Sequence, residues 1–316
     1  MIDKTRLSTD ALTISQQLFE CSLDYQQRCI VLLDPFLTPF EDRIIDYFAT
    51  KNRLHQVYIM HPSILASKRP LLLELNLAEP FEREVLSYII EQALIQKAPD
   101  YLLSGQGQQY CAWLFSQAPI AQIASDLALV ALQKTHHGKT LLLRFYDPAI
   151  FLQLMCILTE PQQHKLYGHL ERWALLNRAR QLIINQNIGE PRSVLTGQLG
   201  LTDGQLRQLY CIGINNQLLK KHEQQLPIIQ HDECQTLQHI MPSVLRLLDK
   251  QINDDTLLIQ WAKLALTYHK DFDLHPEVIK ATQHFTIRYD YYRWFESMTE
   301  QNWQQIADDY RKKNSK

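Results

Sequence analysis

An α+β (mixed α/β) domain with a mixed sheet and flanking helices, followed by an all-α domain, is the fold class this sequence predicts. Two patterns carry the expectation. Residues 1–185 alternate short apolar runs with amphipathic segments, whereas residues 201–316 show helical periodicity alone. Between them, Asn-Gln-Asn-Ile-Gly-Glu-Pro-Arg breaks regular structure, and residues 186–200 are assigned to a linker.

In the first domain, residues 29–33, 56–60, 71–75, 110–115 and 140–146 read as strands, being short, apolar and aromatic-rich. Helices are expected over 9–19, 41–48, 80–94, 119–132 and 148–158. The fourth is the clearest, because Ile120, Ile123, Leu127 and Val130 fall on one stripe, with Ser116 near its cap. Thr159, followed by Pro161 and Gln162, starts a further helix through Leu166 and Leu170. The segment Leu-Leu-Leu-Arg-Phe-Tyr-Asp-Pro at 141–148 is read as a strand covered on both faces, turning through a polar corner. There Asp147 suits an N-cap and Pro148 the first helical turn, where no donor is needed.

In the second domain Thr202 and Gln205 fit a capping box, and helices are expected over 234–248, 255–268, 276–295 and 303–310. Leu257, Leu258, Trp261, Leu264, Ala265 and Tyr268 line one face of the second of these. Along 276–295, Val278, Thr282, Phe285, Tyr289 and Tyr292 form an inward row. Tyr291, Trp294 and Phe295 then point elsewhere, either under a second helix or as an exposed anchor for a partner.

Composition excludes several classes. With 46% hydrophobic and 21% charged residues, the chain is globular rather than disordered. A net charge of −2 offers no general attraction to nucleic acid or anionic membranes, and no apolar run is long enough to cross a bilayer. The first residues carry no secretory pattern, and the six scattered cysteines read as reduced thiols, so a cytoplasmic location is expected.

Chemistry-bearing residues are few. Asp34, His61 and Asp147 each precede a proline at an expected strand end. The alternative function is therefore a small-molecule hydrolase using them as acid and base, against their simpler use in caps and turns. Cys211, His222, His231, Cys234 and His239 share a window, but their spacing is too loose for a zinc site. Arg144, after three leucines, must either reach solvent or find a carboxylate; an internal pair with Asp147, Asp34 or a glutamate is expected, against a partner-facing role.

Four features in order resemble the type VI secretion effector adaptor (chaperone) family, the Tap/Tec proteins, built on domain of unknown function 4123. They are Val-Leu-Leu-Asp-Pro ending at Pro35, with Asp34 in an acidic turn; Ala-Trp-Leu-Phe-Ser around Trp113; Gly138-Lys139 leading into Arg144, Phe145, Tyr146, Asp147 and Pro148; and Gly168 with Trp173. The resemblance implies a non-enzymatic cytoplasmic adaptor, with no catalytic residues, cofactor or metal. Its partners would be a type VI effector protein encoded nearby and the VgrG spike protein that the effector is loaded onto. Neither nucleic acid nor membrane insertion is implied. Tyr291, Trp294 and Phe295 remain the partner-binding candidates, on the helical domain.

Overall fold

The protein is described by a computed structural model over residues 7–36, 42–105, 107–187, 189, 197–225 and 232–314. The chain divides into two compact units, Met1–Asp203 and Gly204–Lys316.

The first unit runs α1 (Thr9–Ser22), β1 (Arg28–Leu33), α2 (Asp42–Thr50), β2 (Leu54–Gln56), β3 (Leu71–Asn76), α3 (Pro80–Gln96), α4 (Pro99–Ser104) and β4 (Tyr110–Phe115). It continues through α5 (Ile120–Val130), β5 (Leu132–Lys134), β6 (Thr140–Leu142), α6 (Pro148–Met155), α7 (Glu160–Tyr167), β7 (Arg172–Leu176) and β8 (Leu182–Gln186). Six strands form one sheet in the order β2-β3-β1-β4-β7-β8. The α+β expectation holds. The mixture of strand directions does not, because every pairing in this sheet is antiparallel among the described residues.

Central β1 explains the sheet's depth. Its Cys29, Val31 and Leu33 pack with Leu18 of α1 and with Val85, Leu86 and Ile89 of α3. Strand alternation sends Ile30 and Leu32 to the opposite face, where they too are buried. Burying each of Ile30, Val31, Leu32 and Leu33 contributes on the order of 1.5–3 kcal/mol. On that second face the rings of Phe151 and Trp173 stack at 4.4 Å, and Phe145 lies 5.9 Å from Trp173.

Three local expectations change. The strand expected over 140–146 shrinks to β6, which pairs only with β5 in a two-stranded hairpin. Leu141 is exposed rather than covered, and Leu143 is the first leucine fully inside. The strand expected over 56–60 is β2 instead, after which Ile59 N–H turns back to the Val57 carbonyl. Strands β7 and β8 were not anticipated, because the turn joining them carries no Gly or Pro and is closed by Asn177 and Gln181. The last residues of the expected linker are stitched to this unit: the buried Gln133 donates to the Gly197 carbonyl at 2.8 Å and accepts from Leu199 N–H at 2.8 Å.

The second unit is helical, with α8 (Asp203–Gln225), α9 (Glu233–Asp249), α10 (Asp255–Thr267), α11 (Pro276–Thr282), α12 (Arg288–Ser297) and α13 (Glu300–Asn314). Asp232 and Asp254 cap α9 and α10 through their side chains. The single helix expected over 276–295 is two, α11 and α12. Ile287 stands extended between them (φ −129°, ψ 155°), as suits the β-branched pair Thr286-Ile287. The core is aromatic: the Trp261 ring lies 4.8 Å from Phe272, 5.7 Å from Tyr291 and 6.2 Å from Trp294.

Candidate functional site

The polar corner at 144–148 is where the first unit gathers its charge. Turning out of β6, the chain closes a turn with Asp147 N–H donating to the Arg144 carbonyl. Asp147 then caps α6, its carboxylate accepting Ala149 N–H at 2.9 Å, and Pro148 occupies the first helical turn. This arrangement leaves Phe145 and Tyr146 inside the unit and aims Arg144 at the end of β1.

There Arg144 Nη2 donates to Asp34 Oδ2 at 2.6 Å, across 110 residues of sequence. Asp147 Oδ2 lies 3.7 Å from the same nitrogen. Asp34 is only 4% exposed and is held on every side. Its N–H donates to the Gln109 carbonyl, and its Oδ1 accepts Phe36 N–H. A bulge in the β1–β4 pairing between Leu32 and Leu33 accompanies this bend. Above the guanidinium lies the Phe36 ring, 4.6 Å away.

Electrostatics follow from depth. Burial pushes the Asp34 carboxyl up, while Arg144 and the Phe36 N–H pull it back. For Arg144 burial opposes the charge, yet Asp34 and Asp147 outweigh it and keep the guanidinium firmly cationic. Burial also raises the Tyr146 hydroxyl, and raises the Cys111 thiol well above its ordinary range, with Asp34 and Asp147 adding to the second shift. A thiol so held is a poor nucleophile. The corner therefore spends its charges on one another, and its chemistry is that of a clamp joining β1 to the start of α6.

His61 stands apart from this group. Its Nδ1 accepts Ser63 N–H within its own turn, and no hydrogen bond or ion pair joins it to Asp34 or Asp147 among the described residues. Trp113 and Trp173 are fully buried in the sheet, on opposite faces. Gly168 ends α7 at φ 55°, ψ −119°, a conformation that glycine alone adopts readily.

The partner-binding candidates are a correction. Tyr291 is wholly buried, Trp294 nearly so, and Phe295 half-buried with its ring 6.1 Å from Trp261. They do not form an exposed anchor. The helical break at 283–287 resets the phase of α12, so these residues face the core, while Tyr289 of the expected inward row is 60% exposed. Of the soft-ligand window, Cys211 is buried in α8 and His239 Nε2 lies 3.1 Å from the Ala265 carbonyl. His231 and the His222 side chain lie outside the described residues.

Two buried polar groups escaped sequence reasoning. Glu82 of α3 is fully buried and receives Arg53 at 2.7 and 2.8 Å together with Asn76 N–H. Asp126 of α5 meets His169 Nδ1 at 2.6 Å, and His169 Nε2 is 2.9 Å from the Gln122 amide. Each joins residues far apart in sequence. The one local signal was an acidic residue interrupting an apolar helix stripe.

Residues 32–165 match the family model described as Domain of unknown function (DUF4123). Over this segment, less than half of its length, the chain is similar to a family associated with type VI secretion effector adaptors. The matched segment contains Asp34, Arg144 and Asp147 together. Neither the curated proteins nor the solved structures give a match. No helix among the described residues is long and apolar enough to cross a membrane.

Proposed function

We propose that the chain is a non-enzymatic adaptor that binds a type VI secretion effector in the cytoplasm and helps load it onto the VgrG spike. The observation that carries this reading is the family match over 32–165, which spans the whole Asp34–Arg144–Asp147 corner. Support also comes from the corner's chemistry. Its carboxylates are consumed by Arg144 and a helix cap, an arrangement that suits a scaffold. An adaptor of this kind acts by covering apolar effector surface and handing the effector on, so its binding energy resides in contact surface.

Co-expression of the full chain with the type VI effector encoded nearby, followed by affinity capture and size-exclusion chromatography, tests the first half. A co-eluting complex of chain and effector is expected. Separate elution of chain and effector would overturn the proposal.

A further inference from the structure

Strand β2 ends the six-stranded sheet, and its three residues line a groove. The groove holds about 540 Å³ and is walled by β2, by Tyr58 and Met60, and by Ala121, Ala124, Ala128 and Leu129 of α5. Ladder parity shows which backbone groups point away from β3. Glu74 N–H donates to the Arg53 carbonyl and Val57 N–H to the Pro70 carbonyl, so alternate residues of this stretch bond inward to β3. Leu54 and Gln56 are the others, and their N–H and C=O groups project from the sheet edge. Beside them Tyr58 is 65% and Met60 72% exposed, apolar surface a folded chain normally covers.

The chain segment that carries β2 has one sign of charge. From Lys51 to Arg69 the sequence holds four Lys or Arg and two His, and no Asp or Glu. Arg53 is committed to Glu82, but the Arg69 guanidinium lies over the Tyr58 ring at 5.6 Å, with no carboxylate partner among the described residues. On α5 the single acid, Asp126, is turned to His169.

We propose that this groove takes an extended segment of a partner protein, alternating apolar and polar residues and flanked by Asp or Glu, which adds to the sheet as a strand beside β2. Outward N–H and C=O groups supply main-chain pairing, the α5 wall takes alternate apolar side chains, and Arg69 with its basic neighbours attracts the acidic flank. The proposal rests on the reading of the chain as a partner-binding protein and names the chemistry of one contact.

The probe is a phage-displayed library of random dodecapeptides selected on the full chain, with one recovered sequence synthesised and its binding followed by fluorescence anisotropy. Recovered sequences should alternate apolar and polar residues and carry acids, and their affinity should fall several-fold as salt is raised. Gln56→Pro removes the outward N–H along with the side-chain bond to the Ala66 carbonyl, and should weaken binding at least tenfold; Gln56→Ala loses that side-chain bond too and so isolates the N–H. Gln56→Ala, which keeps that N–H, should leave affinity within about twofold. Ala128→Glu, which fills the α5 wall with repelling charge, should also abolish binding and covers the case in which the proline variant does not fold.

Failure to recover any sequence, binding to Gln56→Pro and Ala128→Glu as tight as to the unaltered chain, or recovery of helix-spaced sequences indifferent to Gln56→Pro would each overturn the proposal. The two readings separate cleanly. An effector complex unaffected by the groove variants removes the groove and leaves the adaptor, whereas groove-bound peptides without any effector complex do the reverse.

Discussion

The two units bury their interiors by different means. The first takes charge inside: Asp34 with Arg144, Glu82 with Arg53 and Asp126 with His169 all sit among sheet-packed aliphatic residues. The second fills its core with rings and holds an ion cluster of similar depth, Arg246 with Asp271 and Asp273, the arginine side chain 32% and Asp273 7% exposed. A buried ion pair is costly unless its geometry is met, so it ties distant residues to defined types. An aromatic core asks mainly for volume. The family match falls wholly in the first unit, on the segment that holds the charged corner. It is smaller than the folding unit, since α1, most of β1, β7 and β8 lie outside it.

The sharpest way to break the comparison is Trp173→Ala. Trp173 lies beyond the matched segment, yet it stacks on Phe151 and neighbours Phe145 within it. Loss of so large a buried ring is expected to cost about 3–5 kcal/mol in urea unfolding of the first unit. A cost below about 1 kcal/mol would mean that the matched segment folds without its outer strands. In the second unit, Tyr291→Ala should cost about 3 kcal/mol, whereas Tyr289→Ala, at an exposed position, should stay within about 0.5 kcal/mol. Equal effects at the two tyrosines would refute the phase of α12 described above.

The corner itself predicts an asymmetry. Arg144→Ala strands the Asp34 carboxylate in a site 4% exposed, while Asp34→Ala leaves an arginine whose side chain is 26% exposed. The arginine variant should therefore lose about 2 kcal/mol and the aspartate variant less, because solvent still reaches the charge left behind. Chemical denaturation of both, with the double variant closing a cycle, measures the difference. A larger loss for Asp34→Ala would place the main stabilisation in its bond to Phe36 N–H rather than in the ion pair.

Much of the first unit was legible from local signals. The apolar runs of β1, β3 and β4, the cap at Asp147 and the Thr159–Gln162 capping box depend on neighbours within four residues, and they stand where the sequence places them. Arg144's need for a carboxylate was legible from its setting. Which carboxylate it takes depends on the antiparallel register and was not. Strand β6 is shorter than its sequence suggests because three leucines look alike whether they enter a sheet or a hairpin edge; only Leu143 is buried. The aromatic residues of α12 were misphased for a related reason. A helical row carried through Phe285-Thr286-Ile287 ignores a break that shifts every later residue around the axis. The groove beside β2 escaped notice because it exists only once the strand order is known.

The smallest expected effect concerns pH and separates the units once more. In the second unit His269 stacks on the Tyr310 ring at 3.9 Å and accepts Asp271 N–H at its Nδ1, a role that requires an unprotonated nitrogen. Burial holds its pKa below the ordinary 6.5, with Asp271 opposing and His239 and Lys270 adding to the shift. A base whose pKa is lowered by folding is protonated first in the unfolded chain. Its contribution to stability is therefore full above 6.5 and is lost as pH falls through the lowered folded value. Unfolding of the full chain in urea at pH 7 and pH 5 should show the helical unit weakening with acid. His269→Phe, which keeps the ring and removes the titration, should reduce that dependence. An unchanged dependence in the variant would assign the acid sensitivity elsewhere and leave the stacked ring as packing alone.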